Sequence, residues 1–394
     1  MDQYRFAIIG AGMAGASMAA FLPHSGRSVL IEAEAAPGYH TTGRSAAIYS
    51  KVYGNALIRA LSAASEDFFQ SPPVGFSDHP LLTRRGTLFL ADETQGGSLD
   101  KLEVEAAAAG AETTRLSATE AVQRVSILKP QSISQALWEP GAMDMDVEAI
   151  HRGFLKMAKA RGVATLCNAR VTDLRRRSGG AGWVVTAGDD VFEADILVNA
   201  SGAWGDVLAK AAGVRPMNLN PLRRTAMIVA PPECTDVSKW PLVLDVDEQF
   251  YFKPEAGKLL LSPADETPSF PCDAFPEEID VAIGVDRIQQ VADLPVRRIE
   301  HQWAGLRTFA PDRSPVVGFD RNAPDFFWLV GQGGYGIQTA AALGRVAAAL
   351  AARKPIPAEI ADFGVSEAAL DPDRFRLSAS RFSGSGAQDV SVAR

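Results

Sequence analysis

The chain has 394 residues, 47% of them hydrophobic and 22% charged, and a formal net charge of −8. Its length suits two or three domains and allows a large core without covalent staples. The acidic balance excludes electrostatic support for nucleic-acid binding, and the densest basic run, LRRRSGG at 174–180, reads as a strand end entering a hairpin. Three cysteines, Cys167, Cys234 and Cys272, form no CxxC pair and share no ligand spacing with the five histidines, so free thiols and no metal centre are expected. No leader pattern precedes Tyr4, and the longest apolar stretch, 337–351, carries Gln338 and Arg345 and is too short to cross a bilayer. A cytoplasmic protein is expected, with attachment at the inner membrane surface left open.

Residues 4–9 read as a buried strand, Gly10, Gly12 and Gly15 as a turn opening a helix to about Leu22, and 28–32 as a second strand ending in Glu32. The three glycines differ in what they permit. Gly10 makes the tight turn, Gly12 admits a pyrophosphate to the backbone, and Gly15 lets helix and strand close up. The helix N-terminus, including Met13 and Ala14, supplies unpaired N–H groups to an anion. An acid about 20 residues past the first glycine accepts ribose hydroxyls and repels a 2′-phosphate, which disfavours NADP.

The stretch GYHTTGRSAAIYSKVYG at 38–54 is too irregular for a plain helix and reads as a loop. Strands and amphipathic helices alternate over 56–139, a helix is expected at about 146–161, and a β-hairpin region at 165–191. EADILVNASGAWGDVLAKAAG at 193–213 reads as strand, turn and helix. From 221 to about 300 the short apolar runs RRTAMIVA, PLVLDV, QFYFKPE and KLLLSPA suggest an antiparallel layer. At 326–344, FFWLVGQGGYGIQTAAALG repeats the strand–glycine–helix grammar of the N-terminus. A cofactor domain interrupted by long inserts and finished at the C-terminus is more typical of flavoproteins than of nicotinamide enzymes.

IIGAGMAGAS, GYHTTGRSAAIY, LVNASGAW, HQWAGLR and GQGGYGIQT, in that order, resemble the D-amino-acid-oxidase-like FAD-dependent oxidoreductases, with the nearest likeness to bacterial D-arginine dehydrogenases. The resemblance implies an α/β fold: a Rossmann-like, glutathione-reductase-type FAD domain (1–46, 146–220 and 306–377) and a substrate domain (47–145 and 221–305) with a mostly antiparallel sheet and flanking helices. Residues 378–394, rich in Ser, Gly and Ala, are expected to be a disordered tail. The resemblance also implies that Glu32 holds ribose, that Arg44, Ser45 and Ala46 line the flavin, and that Val171 meets adenine through its backbone. Gly202 then lies near the pyrophosphate. The second glycine-rich turn, with Gly333, Tyr335, Gly336, Ile337 and Gln338, aims N–H groups at the flavin ring. AGLRTFAPD holds no cysteine or histidine, so the FAD is expected to be noncovalent.

For the substrate, the resemblance selects Arg224 and Arg307 as carboxylate clamps, Tyr53 and Tyr251 as flanking phenols, and the carbonyl of Gly334 as acceptor of the amine. Taken alone, either arginine reads more readily as half of a structural ion pair, the usual fate of an arginine, and strand alternation leaves open whether Arg223 or Arg224 faces a pocket. Ile48, Thr87, Leu242 and Leu244 are assigned to the side-chain pocket. Where D-arginine dehydrogenases have a glutamate and a histidine, this chain has Thr87 and Ile48, which implies neutral or hydrophobic D-amino acids over D-Arg and D-Lys. The implied reaction is oxidative deamination, with hydride passing from Cα to flavin N5 and the imino acid hydrolysing to a 2-oxo acid and ammonia. A quinone, another carrier or oxygen then takes the electrons. Two alternatives stand beside it: a glycine or sarcosine type of amine oxidase, and an escort protein of the same fold without redox chemistry.

Overall fold

The computed structural model describes residues 1–24 and 26–375; the tail expected at 378–394 lies outside the described residues. The chain begins with β1 (Asp2–Ile9), α1 (Met13–Phe21) and β2 (Ser28–Ile31). It continues with β3 (Ile48–Tyr49), α2 (Ala56–Gln70), β4 (Leu82–Arg84), β5 (Thr87–Ala91), α3 (Gly96–Ala108), β6 (Thr114–Ser117), α4 (Ala118–Arg124), β7 (Gln135–Glu139) and β8 (Met143–Met145). Then come α5 (Val147–Ala160), β9 (Val163–Leu166), β10 (Val171–Arg176), β11 (Trp183–Ala187), β12 (Asp190–Asn199) and α6 (Gly205–Ala211). The remainder is β13 (Asn220–Val229), β14 (Leu242–Asp245), β15 (Tyr251–Glu255), β16 (Lys258–Ser262), β17 (Thr267–Pro268), α7 (Glu278–Val291), β18 (Ile299–Phe309), β19 (Val316–Asp320), β20 (Ala323–Val330), β21 (Gln332–Gly333), α8 (Ala340–Ala351), α9 (Ala358–Ala361) and α10 (Glu367–Leu370).

The first large sheet has β1 at its centre, parallel to β2 and β12, with β9 parallel beyond β2. β12 is long enough to hold two partners on one edge: β11 along its first half and β20 at Leu197–Asn199. Both faces of this sheet are covered, so β1 and β20 are apolar runs without alternation. Phe6, Ile8 and Phe327 enter the core under α1 and α8, while Ala7, Ile9, Phe326 and Trp328 enter the core on the opposite face.

α1 has small residues where α8 crosses it. A side chain on Gly344 would come within 2.8 Å of the Ser17 backbone, and one on Gly15 would overlap the carbonyl oxygen of Gly10. The hairpin expected at 165–191 needs correction, because its first residues end β9. Leu166 pairs with Ile31 in parallel register and accepts from Glu32 N–H at 2.8 Å. A strand that follows a crossover helix, here α5, returns parallel, and alternation alone does not carry that information.

The second large sheet runs β21-β18-β13-β16-β15-β14-β5-β7-β6 and is antiparallel except where β14 pairs with β5. A three-stranded sheet, β3-β8-β4, joins the loop before α2 to the second sheet. The mixed α/β architecture with a mostly antiparallel second layer agrees with the expectation from sequence. On these two sheets we propose the division into cofactor and substrate domains given above. Although α2 lies in the 47–145 segment, it packs on α8, where Ala342 N–H donates to Ser65 Oγ at 2.9 Å.

Candidate active site

A cavity of about 320 Å³ runs from the β1–α1 turn to the β21–α8 turns, between the two large sheets. At its first end Gly10 (φ +104°) turns the chain where a Cβ would strike the Ala200 carbonyl. Gly12 caps α1 in extended conformation with no side-chain cap, so the helix opens onto the cavity through its own backbone. Gly10, Gly12, Met13 and Ala14 line the cavity, whereas Gly15 supports the turn from behind. The Met13 N–H donates to Thr42 Oγ1 at 3.0 Å.

Glu32, 8% exposed, forms part of the same wall. Its carboxylate oxygens accept from Ala11 N–H and Glu34 N–H, both at 3.1 Å, and each keeps lone pairs for further donors. Val171 and Gly202 (φ +55°) also line this end, and a Cβ on Gly202 would meet open space.

Two residues that the sequence reading missed organise this end. His151 on α5 is buried and bonds Ala11 O through Nε2 at 2.8 Å. Burial lowers its pKa, with the Ala11 contact opposing, so the neutral ring donates from Nε2. A signal was present, because His151 lies on the buried stripe with Ile150 and Phe154. The other is Asp273, which is ion-paired with Arg44 and accepts from Tyr39 Oη–H at 3.2 Å. Arg44 also donates to Ala274 O and Ala304 O, at 2.9 and 3.0 Å. Through these bonds it ties the 38–46 loop to β18 and holds Ser45 and Ala46 at the cavity wall.

At the other end the chain makes consecutive turns before α8. Gly333 has φ +57°, and a Cβ on it would overlap the Phe309 ring; a Cβ on Gly334 would sit 2.9 Å from Arg307 Nη1. Gly333, Gly334, Gly336 and Ile337 line the cavity. The helix itself starts at Ala340, after Tyr335, Thr339 and Ala340 have donated within turns. The N–H groups of Gly336 and Ile337 have no protein acceptor among the described residues. Gln338 lies behind the wall: its Oε1 accepts from Ser50 N–H at 3.3 Å and its buried Nε2 has no partner among the described residues.

Strand register decides which arginine faces the cavity. Leu222 pairs with Arg307 and Arg224 with Gly305, so Arg224 and Arg307 are diagonal neighbours on one face of the β13–β18 pair. Both line the cavity, as does Tyr251, and Gly305 leaves room opposite Arg224. Arg223 points to the other face and pairs with Glu277 and with Asp280 at 2.8 Å.

Arg224 is buried and donates from Nε to Asp265 O at 2.8 Å, with Glu266 at 3.4 Å from Nη2. Arg307 Nη1 donates to Tyr53 Oη at 3.1 Å. Burial opposes the Arg307 charge, but Tyr53, Tyr251 and Glu248 outweigh it, so its pKa stands above the ordinary arginine value. Burial raises the Tyr53 pKa against the pull of Arg307, so this phenol stays protonated. Its O–H is left to point at an acceptor.

Beyond Arg224 a second, more open space of about 850 Å³ is lined by Glu248, Asp265, Glu266, Arg313 and Tyr335 among others. Ile48, Thr87, Leu242 and Leu244 do not reach either wall. Leu242, Leu244 and Ile48 pack with Tyr251 and Ala46 in an apolar cluster behind the cavity. Thr87 is buried between Leu242 and Glu139 in register, with Oγ1 unpartnered among the described residues.

Turns whose glycines line the cavity with backbone in place of side chains, a carboxylate near one end and N–H groups without a protein acceptor at the other fit an extended dinucleotide such as FAD. No helix among the described residues is long and apolar enough to cross a membrane.

Comparison with known proteins accords with this fit. A family described as FAD dependent oxidoreductase (DAO) matches residues 5–350. The hydrogen cyanide synthase subunit HcnC of Pseudomonas aeruginosa is 25% identical over 53% of this chain and 49% of that protein. The glycine oxidase of Geobacillus kaustophilus is 24% identical over 63% of this chain and 64% of its own. The matches thus span about half to two thirds of these relatives' lengths. The solved structure of that glycine oxidase superposes with a TM-score of 0.78 at 21% identity, over 90% of this chain and 96% of its own. L-proline dehydrogenase from P. horikoshii gives 0.77 at 20% identity, over 96% and 99%.

Proposed function

This chain belongs to the FAD dependent oxidoreductase family, and from that premise we propose that it oxidatively deaminates D-amino acids to 2-oxo acids and ammonia. One observation carries the reading: Arg224 and Arg307 share a sheet face and line one cavity with the glycine-rich 333–337 turns. Paired guanidinium groups in a recess orient a carboxylate by bidentate bonds and leave little freedom to what is attached to it. FAD, when bound, supplies the acceptor for the Cα hydride.

The chain's own residues do the rest. Arg307 is held charged and Tyr53 protonated, so both serve a carboxylate as donors. The Gly334 carbonyl is assigned to the substrate amine, which must be neutral when hydride leaves. No side chain is assigned to take that proton. Glu32 and the N–H groups of Gly336 and Ile337 are assigned to the two ends of the cofactor, held noncovalently.

The D configuration and the dehydrogenase reading rest on the likeness to D-arginine dehydrogenases. The preference for neutral or hydrophobic side chains rests on the same likeness, in which Thr87 and Ile48 stand where those enzymes have a glutamate and a histidine, and not on a contact with the cavity, since both lie behind its wall. Glu248, the carboxylate acting on Arg307 and Tyr53, is where a basic side chain would go instead. A second reading, oxidation of glycine or a secondary amine, is supported by the likeness to glycine oxidase. The reoxidant is a quinone, another carrier or oxygen, and the protein acts in the cytoplasm or at the inner face of the membrane.

The deciding experiment is an anaerobic flavin-bleaching screen of D- and L-amino acids, glycine and sarcosine. Faster bleaching by D-Met, D-Leu or D-Phe than by D-Arg supports the first reading. Sarcosine or glycine ahead of every D-amino acid supports the second, and no bleaching at all contradicts both.

A further inference from the structure

Glu139, the last residue of β7, is 1% exposed. A carboxylate so deeply buried normally has a cation beside it. Here its partners are neutral donors: Oε2 accepts from Ser50 Oγ–H at 2.8 Å and Oε1 from Lys51 N–H at 3.0 Å. The ammonium of Lys51 is turned to Glu66, 2.8 Å away. Ser50 passes the contact on, with its N–H donating to Gln338 Oε1 and its Oγ accepting from Val52 N–H, each at 3.3 Å.

At the other end of the same short segment, Tyr53 accepts from Arg307 and sets its ring edge-on to Tyr335, 4.8 Å between centroids. Gly54 (φ +91°) closes on Ile58 so tightly that a Cβ would lie 2.6 Å from its side chain. Residues 50–54 are therefore slung between a carboxylate in the second sheet and a guanidinium in the cavity. Both contacts come from donors, so a glutamine at 139, with one acceptor oxygen and one amide donor, could match only one of them; the two-acceptor carboxylate is what fits.

We propose that Glu139 is a positioning residue whose carboxylate anchors segment 50–54 and thereby holds Tyr53 against Arg307. The proposal rests on the reading of Arg307 as the substrate clamp. As a carboxylate, Glu139 accepts at both oxygens. Once protonated it must donate through one of them, and the natural recipient, Ser50 Oγ, already accepts from Val52. Ser50 must then redirect its own proton, and the anchor slackens.

Burial pushes the Glu139 pKa up to about 7, against the bonds from Ser50 and Lys51. The charged or titratable groups facing it are Lys51 and the phenol of Tyr49. Thr87 from β5 and Gln338 before α8 are neutral. Between the ordinary carboxylate range and about pH 7 the folded state keeps a proton that the unfolded chain has released. The Glu139 contribution to stability therefore falls as pH rises through that window and is constant above it.

The test uses the FAD-loaded wild type and Glu139→Gln, which like the protonated acid offers one acceptor and one donor and does not titrate, between pH 5.5 and 8.5. Melting temperatures should converge at pH 5.5, with the variant higher at pH 8.5. Hydrogen exchange of peptides covering 50–54, corrected for intrinsic rates, should show wild-type protection falling relative to the variant as pH drops through 7. The wild-type to variant ratio of KM for D-methionine should rise at least about threefold from pH 8 to 6, with the kcat ratio unchanged. Exchange and KM ratios that stay flat across pH overturn the positioning role, even if the melting temperatures titrate. If D-methionine is not turned over, the reaction reading has failed, and exchange alone decides the role of Glu139.

Discussion

Arg224 and Arg223 are adjacent in sequence and opposite in fate. Alternation puts them on different faces of β13, but the register with β18 was needed to show that Arg224 shares its face with Arg307. The clamp as a pair was therefore legible only as a resemblance. Tyr53 accepts one bond from Arg307 and has its own proton to give. Tyr53→Phe should raise KM for a D-amino acid by roughly 2- to 12-fold, the equivalent of about 0.5–1.5 kcal/mol for one hydrogen bond, with little change in flavin content. An unchanged KM would leave the phenol a packing group.

Glu32 makes a different kind of prediction, because its bonds to Ala11 and Glu34 use only part of its acceptor capacity. Glu32→Ala should lower FAD affinity at least about tenfold, in line with about 1.5–3 kcal/mol for a hydrogen bond to a charged group. Titration of the apoprotein with FAD measures this directly, and unaltered affinity would remove Glu32 from the cofactor wall.

Local grammar carried the elements well wherever the constraint was local. β1, the glycine turn and α1 follow from an apolar run and three glycines, and α5 follows from its buried stripe behind the Asp146 cap. α8 follows from its alanine-rich run, and turns through Thr339 precede its start at Ala340. β9 was misread because pairing with β2 comes from the whole β-α-β crossover and not from the strand's own residues. Helix α8 also sets a packing limit. Gly344 touches the Ser17 backbone of α1, so Gly344→Ala should destabilise the holoenzyme by about 1–3 kcal/mol through overpacking. A melting temperature equal to wild type would show that the two helices have room to part.

Across the molecule, the cavity is built from residues far apart in the chain: the β1–α1 turn, the 38–46 loop, β13, β18 and the 333–337 turns. The glycine-rich turns marked themselves in the sequence, whereas the arginines of β13 and β18 were singled out only by the resemblance. The apolar backing was less legible. Thr87, Leu242 and Leu244 sit behind the wall where β5 and β14 pair in parallel, with Leu242 and Leu244 in the packed layer around Tyr251, and Ile48 on β3 packs onto that layer. Nothing in their own segments encodes that pairing. His151 and Asp273 likewise act by holding loops, a role that leaves only a buried polar position or an ordinary surface acid in the sequence.

The central claim is that both ends of the chain meet at one site where Arg307 captures the carboxylate of an amino acid to be oxidised. Anaerobic titration of wild type and Arg307→Ala with D-methionine, following flavin absorbance, tests it most directly. The account predicts that both proteins retain FAD and that the variant needs at least about 30-fold more D-methionine for half-bleaching, the equivalent of about 2 kcal/mol for truncating one member of a buried charge pair. Equal half-bleaching concentrations in the two proteins would contradict it.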